Sequence, residues 1–322
     1  MTGYRFKGVL VPVVTPFRAD YSIDLDRFFP LCSDLLARGA NGLAIFGTTS
    51  EANSISARAR MAALEGLIQR GIPAERLLPG VGACALEDAA ELIRHATALG
   101  CGGVLMLPPF YYKGVTDEGL FRFVSGVIER TKTPARIYLY HIPPVAQVGF
   151  SLDLIGRLID AFPGAVVGIK DSSGDMKNTL AVIERFPKFD VFAGSEVFLL
   201  DTLRAGGVGC ITATGSVNLP GIRTVLDGWQ GPTAQTLQDR ATLVRQTIQK
   251  FPMIPAVKSI ISRGGDDAGW KVVLPPLVAL DAEAERRLFE SLDAIGFVHE
   301  SAAPRQAKQL AATSAVVHGG AA

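Results

Sequence analysis

The sequence predicts an α/β fold, a (β/α)8 TIM barrel with a small helical C-terminal extension. Eight short apolar runs alternate with stretches of helical period, and each run-plus-helix unit spans roughly 20–35 residues, the spacing of a closed barrel. The runs are residues 9–14, 42–46, 77–81, 103–107, 136–140, 166–170, 191–193 and 208–212. Most are apolar throughout rather than alternating, as parallel strands covered on both faces must be. Between them, residues 25–37, 57–69, 86–98, 117–130, 152–161 and 176–185 carry helical spacing. In the first of these, Leu25, Phe28, Phe29, Cys32, Leu35 and Leu36 fall on one stripe, and Gly39 follows as a helix-ending glycine, as Gly100 does later. An open doubly wound sheet is the rival architecture. A GxGxxG turn after the first run would favour it, and Thr15-Pro16-Phe17 stands there instead.

After residue 212 only helical spacing remains, at 221–229, 233–251, 253–263 and 281–295. The expected division is a barrel over 1–231, a helical extension over 232–300, and a flexible tail over 301–322 whose small residues offer little to bury.

At 322 residues, 48% of them hydrophobic and 20% charged, the chain can bury a sizeable core, which excludes a disordered or fibrous protein. Lys+Arg 32 against Asp+Glu 31 leaves a net charge of +1 with no basic stripe, so no nucleic-acid partner is expected. No apolar run approaches the ~20 residues of a membrane span. Residues 1–7 lack a signal pattern, and the expectation is a cytoplasmic protein without a membrane partner. The four cysteines have no CxxC spacing and read as small buried residues rather than disulfides or zinc ligands. His141 is the only histidine near the ends of the strands, and no His/Asp/Glu cluster has ligand spacing, so no metal is expected.

In such a barrel the reactive groups sit where strands end. The polar residues there are Gly47-Thr48-Thr49-Ser50-Glu51, the Tyr111-Tyr112 pair, Tyr140-His141, Lys170-Asp171-Ser172-Ser173, Ser195-Glu196, Thr212 and Thr214. Lys170 is the most informative. It ends the apolar run 165–169, where an unpaired ammonium is costly and desolvation favours the neutral amine, a nucleophile suited to a carbonyl. The plainer alternatives are an ion pair with Asp171 or a head that snorkels into solvent. Tyr140 ends the neighbouring strand, where its hydroxyl can approach Lys170 and shuttle protons; alone, it reads as an ordinary barrel tyrosine. The Gly47-Thr48-Thr49 turn offers N–H groups and hydroxyls for a carboxylate.

Together these pieces resemble the dihydrodipicolinate synthase and N-acetylneuraminate lyase family of class I pyruvate-dependent aldolases, across residues 6–300. The matching segments are residues 8–17 (a GxxxPxxTPF opening), Gly47-Thr48-Thr49-Ser50-Glu51, Tyr140-His141-Ile142-Pro143, Gly168-Ile169-Lys170-Asp171 and Val273-Leu274-Pro275-Pro276-Leu277. The resemblance implies that Lys170 forms a Schiff base with pyruvate or another 2-oxo acid and that Tyr140 relays protons. It further implies that Thr48 couples Tyr140 to Tyr112, which reaches into the site of an adjacent subunit. Thr49 would hold the pyruvate carboxylate, and the backbone of Ile211 would lie beside the bound pyruvate. The implied assembly is a homotetramer, a dimer of dimers, working on small molecules without metal or organic cofactor.

Four departures narrow the substrate. Val145 stands where the synthases carry an arginine that grips the second substrate's carboxylate, and an apolar side chain cannot supply a bidentate clamp. His141 replaces the usual Asn, Ser50 the usual Gly, and Glu196 is followed by Val197 where the sialic-acid lyases carry an acidic pair. His141, Val145 and Glu196 are therefore the candidate contacts to the second substrate. The leading expectation is a lyase or aldolase making or breaking a C–C bond, or dehydrating, beside a 2-oxo acid. The alternatives are 4-hydroxy-tetrahydrodipicolinate synthesis with another cation replacing the arginine, a non-catalytic 2-oxo-acid-binding protein, and a phosphosugar aldolase, whose phosphate Glu196 would repel.

Overall fold

The computed structural model describes residues 5–299. The expected tail, 301–322, lies outside the described residues. Seven parallel strands, β1 (Gly8–Val11), β2 (Gly42–Leu43), β3 (Val104–Met106), β4 (Ile137–His141), β5 (Val166–Asp171), β6 (Asp190–Ala193) and β7 (Gly209–Ile211), lie in the order β2-β1-β7-β6-β5-β4-β3.

The gap between β2 and β3 is filled by residues 77–81, the remaining run of the expected eight. Parallel bridges join Leu43 to Leu77 and Gly80 to Leu105. The amides of Leu78 and Gly80 donate to Leu43 (2.9 Å) and Ile45 (2.8 Å), and Leu105 donates to Pro79 (2.9 Å). Pro79 has no N–H to return toward β3, so the segment closes the barrel without forming a continuous strand ladder.

The helices α1 (Leu25–Ala37), α2 (Ala57–Gln69), α3 (Leu86–Ala98) and α4 (Asp117–Thr131) precede a single turn, α5 (Pro143–Ala146). Then come α6 (Leu152–Ala161), α7 (Met176–Arg185), α8 (Leu199–Arg204) and α9 (Gly215–Gly228). Side-chain caps start several of them: Asp24 accepts from Asp26 and Arg27, Ser56 from Ala59, Thr116 from Gly119 and Ser151 from Leu154. Two helices escaped the periodicity, α5 and α8, each too short to show a stripe. A third, expected from residue 221, starts at Gly215: the chain turns helical before Pro220 and kinks at Asn218 (φ −125°, ψ 28°).

Strand parity sorts the core. Val9, Val11, Ile137, Leu139 and Ile169 face the helices, while Leu10, Tyr138, Tyr140, Phe192 and Ile211 fill the barrel interior. Tyr138 stacks edge-on against Phe6 (6.0 Å) and Phe192 (5.9 Å) between ring centroids. Gly168 makes room for it: a Cβ there would stand 2.6 Å from the Tyr138 ring. These rings form a dry floor, and the next inward residues along β4 and β5 are Tyr140 and Lys170.

Beyond α9 lie α10 (Ala234–Ile248), α11 (Met253–Gly265) and α12 (Ala282–Ala294). Val244, Ile248, Val257, Ile260, Leu288 and Leu292 form their shared core, which reaches the barrel through Val14 and Val217. The cysteines correct one expectation. All four are free, but only Cys32 and Cys210 are buried, Cys101 is half-buried and Cys84 is exposed. No helix of the described residues is long and apolar enough to cross a membrane.

Candidate active site

A cavity of about 470 Å³ opens where the strands end. Thr48 and Thr49 line it from the turn after β2, Tyr140 from β4, Lys170 from β5, and Ser172, Ser195 and Ala213 from the loops after β5, β6 and β7. Lys170 is only 4% exposed. The register pairs it directly with Tyr140, and its Nζ lies 4.2 Å from the centre of that ring. Neither plainer reading of the lysine fits. Its head does not reach open solvent, and Asp171 is occupied elsewhere, accepting from the Ser173 amide (2.9 Å), Asn178 Nδ2 (2.9 Å) and Thr179 Oγ1 (2.8 Å). Among the described residues Lys170 makes no ion pair.

The Tyr140 hydroxyl lies 3.2 Å from Thr48 Oγ1. The turn that carries Thr48 is tightly determined. Ser50 donates from its amide to Gly47 (3.1 Å) and Glu51 to Thr48 (3.0 Å), while the Ser50 hydroxyl donates to Val13 (2.6 Å) and accordingly holds the turn to the segment that follows β1. The amides of Thr48 and Thr49 have no acceptor among the described residues. Two N–H donors and the Thr49 hydroxyl are left for an anion in the cavity.

Beneath the turn is a buried ion pair that the sequence analysis did not single out. Lys258 of α11 donates to Glu51 and to the Val272 carbonyl (2.7 Å), and its Nζ lies 4.4 Å from the centre of the Phe17 ring. The second Glu51 oxygen accepts from the Leu274 amide (2.7 Å). Both side chains are fully buried, and burial pushes the Lys258 amine down from its usual value against the pull of Glu51. The turn is thereby tied to the C-terminal helices. A lysine in the apolar stretch Met253–Gly265 was the available signal.

The other sequence candidates divide. Val145 lines the mouth of the cavity and is 63% exposed. Ile211 is fully buried in the barrel interior. Tyr112 is 74% exposed, edge-on to Tyr111 at 5.2 Å, and stands outside this chain's cavity. Two expected substrate contacts do not line the cavity. His141 follows Tyr140 on the strand and so has the opposite parity; its Nδ1 accepts from the Phe150 amide (2.9 Å), clipping the loop after β4. Burial holds its pKa below the usual 6.5, against the opposing charge of Asp171. Glu196 turns away from the cavity, fully buried, its two oxygens accepting from the hydroxyls of Thr212 and Thr214. Conversely, Arg245 and Gln246 of α10, Gln249 just past its end and Met253 of α11 line the cavity although the sequence reading passed over them.

A lysine buried at the mouth of a parallel barrel, beside a tyrosine linked to a threonine, makes this end of the barrel the candidate active site. The family is then specific: residues 5–295 match the Dihydrodipicolinate synthetase family, and the chain belongs to it. It is 30% identical to an uncharacterized DapA-like lyase of Chloroflexus aurantiacus, over 89% of this chain and 97% of that one. Its fold is similar to that of dihydrodipicolinate synthase from Agrobacterium tumefaciens, with a TM-score of 0.84 and 34% identity over 90% of this chain and 99% of the other. It is equally similar, at TM-score 0.84 and 25% identity, to YagE of E. coli K12, solved in complex with pyruvate, covering 92% and 100% of the two chains.

Proposed function

We propose that the protein is a class I lyase of pyruvate or a related 2-oxo acid, working through an imine on Lys170. The observation that carries this is the buried amine with no ionic partner, set against the Tyr140 ring. Nζ adds as the free amine to the ketone carbon, and a proton passes from the nitrogen to the oxygen to give a carbinolamine. Loss of water leaves an iminium ion, whose positive nitrogen draws electrons from the adjacent C–C or C–H bond. Release of a C3 proton gives an enamine that attacks an aldehyde; run in reverse, the same steps cleave the product. Water then hydrolyses the imine and frees Lys170.

Tyr140 moves the protons, with Thr48 holding its hydroxyl, and the free amides of Thr48 and Thr49 receive the 2-oxo acid's carboxylate. The backbone of Ile211 lies beside the bound acid. We further propose that Tyr112, outside this chain's own cavity, completes the relay of a neighbouring subunit in a homotetramer, and that the enzyme works in the cytoplasm on small molecules alone. The imine is tested by adding pyruvate and borohydride and locating the adduct by mass spectrometry. Reduction is expected to leave pyruvate on Lys170, and folded protein without that adduct would refute the mechanism.

A further inference from the structure

The cavity holds more polar capacity than a 2-oxo acid uses. Lys170 and the Thr48–Thr49 turn serve the acid, while α10 and the residue that caps it add Arg245, Gln246 and Gln249. Arg245 has only 16% of its side chain exposed. Its Nη1 donates to Thr212 Oγ1 at 3.3 Å and lies 3.6 Å from Glu196 Oε2, and its Nε donates to Gln249 Oε1 at 3.3 Å. Its Nη2 has no acceptor among the described residues. Glu196 is already satisfied at closer range by two threonine hydroxyls. The guanidinium therefore reaches the cavity as a fork with unused donors, the geometry that matches a carboxylate.

Building on the Lys170 imine, we infer that Arg245 determines the second substrate by binding a terminal carboxylate on the aldehyde. It takes over from α10 the role that Val145 cannot fill at the end of β4. The surroundings narrow the class further. Asp171 lines the cavity, but its oxygens are engaged by Ser173, Asn178 and Thr179, which leaves it poorly placed to receive an ammonium group. Glu196, 3.6 Å from Arg245, disfavours a doubly charged phosphate. The preferred partner is an aldehyde acid without an amino group. The hydroxyls of Ser172 and Ser195 and the carboxamides of Gln246 and Gln249 are available to polar groups along its chain.

The test compares succinic semialdehyde, butanal, aspartate semialdehyde and glyceraldehyde 3-phosphate as partners of pyruvate, read by pyruvate consumption. Wild-type enzyme is expected to show kcat/KM at least ten-fold higher for succinic semialdehyde than for butanal, with most of the difference in KM. The double variant Glu196→Gln/Arg245→Gln, which removes both charges together, is expected to bring that ratio close to one. Arg245→Lys is expected to keep part of it. Equal use of the two aldehydes by wild-type enzyme, a preference for the phosphate or the amino acid, or a loss in the double variant that is proportional for both aldehydes would overturn the role of Arg245. Borohydride trapping on the same protein separates the two ideas. An adduct on Lys170 without carboxylate preference removes Arg245 alone, and no adduct removes the imine and this inference with it.

Discussion

Replacing Tyr140 with phenylalanine removes one oxygen and leaves the ring that faces Lys170. The ring is 3% exposed and packed in the barrel interior, so the fold has little reason to move. The stability lost is that of one hydrogen bond, the 3.2 Å contact with Thr48, about 0.5–1.5 kcal/mol. The catalytic loss is larger. A positioned acid–base group contributes about 10²–10⁴-fold, or about 2.7–5.4 kcal/mol of barrel-site activation energy at 1.36 kcal/mol per decade. Tyr140→Phe is therefore expected to lower kcat at least a hundred-fold while changing KM for pyruvate by less than three-fold. Steady-state kinetics with pyruvate, beside a urea denaturation curve, measures both quantities. The reasoning fails if kcat falls less than ten-fold, or if KM rises by as much as kcat drops, since either result would make the hydroxyl a binding group or a bystander.

Two further outcomes follow from buried groups around the site. Lys258→Met leaves the fully buried Glu51 carboxylate without its cation, and should destabilise the protein by about 3–5 kcal/mol; Lys258→Met with Glu51→Gln should recover a large part of that, and denaturation midpoints that are equal for single and double variants would contradict the coupling. His141 concerns pH. Its folded pKa lies below the unfolded 6.5, so the unfolded chain binds more protons; its contribution is intact above pH 6.5 and is lost as the pH falls from there through the folded value. Urea midpoints at pH 7 and pH 5 should separate for wild-type protein by more than for His141→Gln, and parallel shifts in both would remove His141 as the cause.

Much of the fold was legible because the barrel is covered on both faces. Unbroken apolar runs marked the strands, and stripes marked six of the seven α-helices between residues 25 and 185 to within a residue. What escaped was set by spacing too short to repeat. The single turn Pro143–Ala146 and the six-residue Leu199–Arg204 cannot display a 3.6-residue period. The kink at Asn218 hid the first turn of Gly215–Gly228, because Pro220 reads as a start when it is an interior residue. Residues 77–81 were legible as a strand, yet Pro79 reduces their pairing to two bridges.

The site was legible in proportion to how far each residue departs from its surroundings. Lys170 stands out because a charge interrupts an apolar run, and Tyr140 follows once two strands are taken to end together. Strand parity accounts for the fate of His141: next to Tyr140 in sequence, it must face the other way, and it serves the loop through Phe150. Glu196 has a local cause, its two threonine partners lying 16 and 18 residues further along, beyond any periodic signal. Arg245 was invisible for the opposite reason. In Ala234–Ile248 it sits among Gln, Thr and Asp, where a cation reads as part of a solvated face. Only the packing of α10 onto α9, together with the hydrogen bonds that join Gln238 to the Glu196 carbonyl and the Leu200 amide, turns that face toward the barrel mouth. In a barrel of this kind, residues on strands can be inferred from what they interrupt, whereas residues lent by an added helical layer become visible only once the layers are docked.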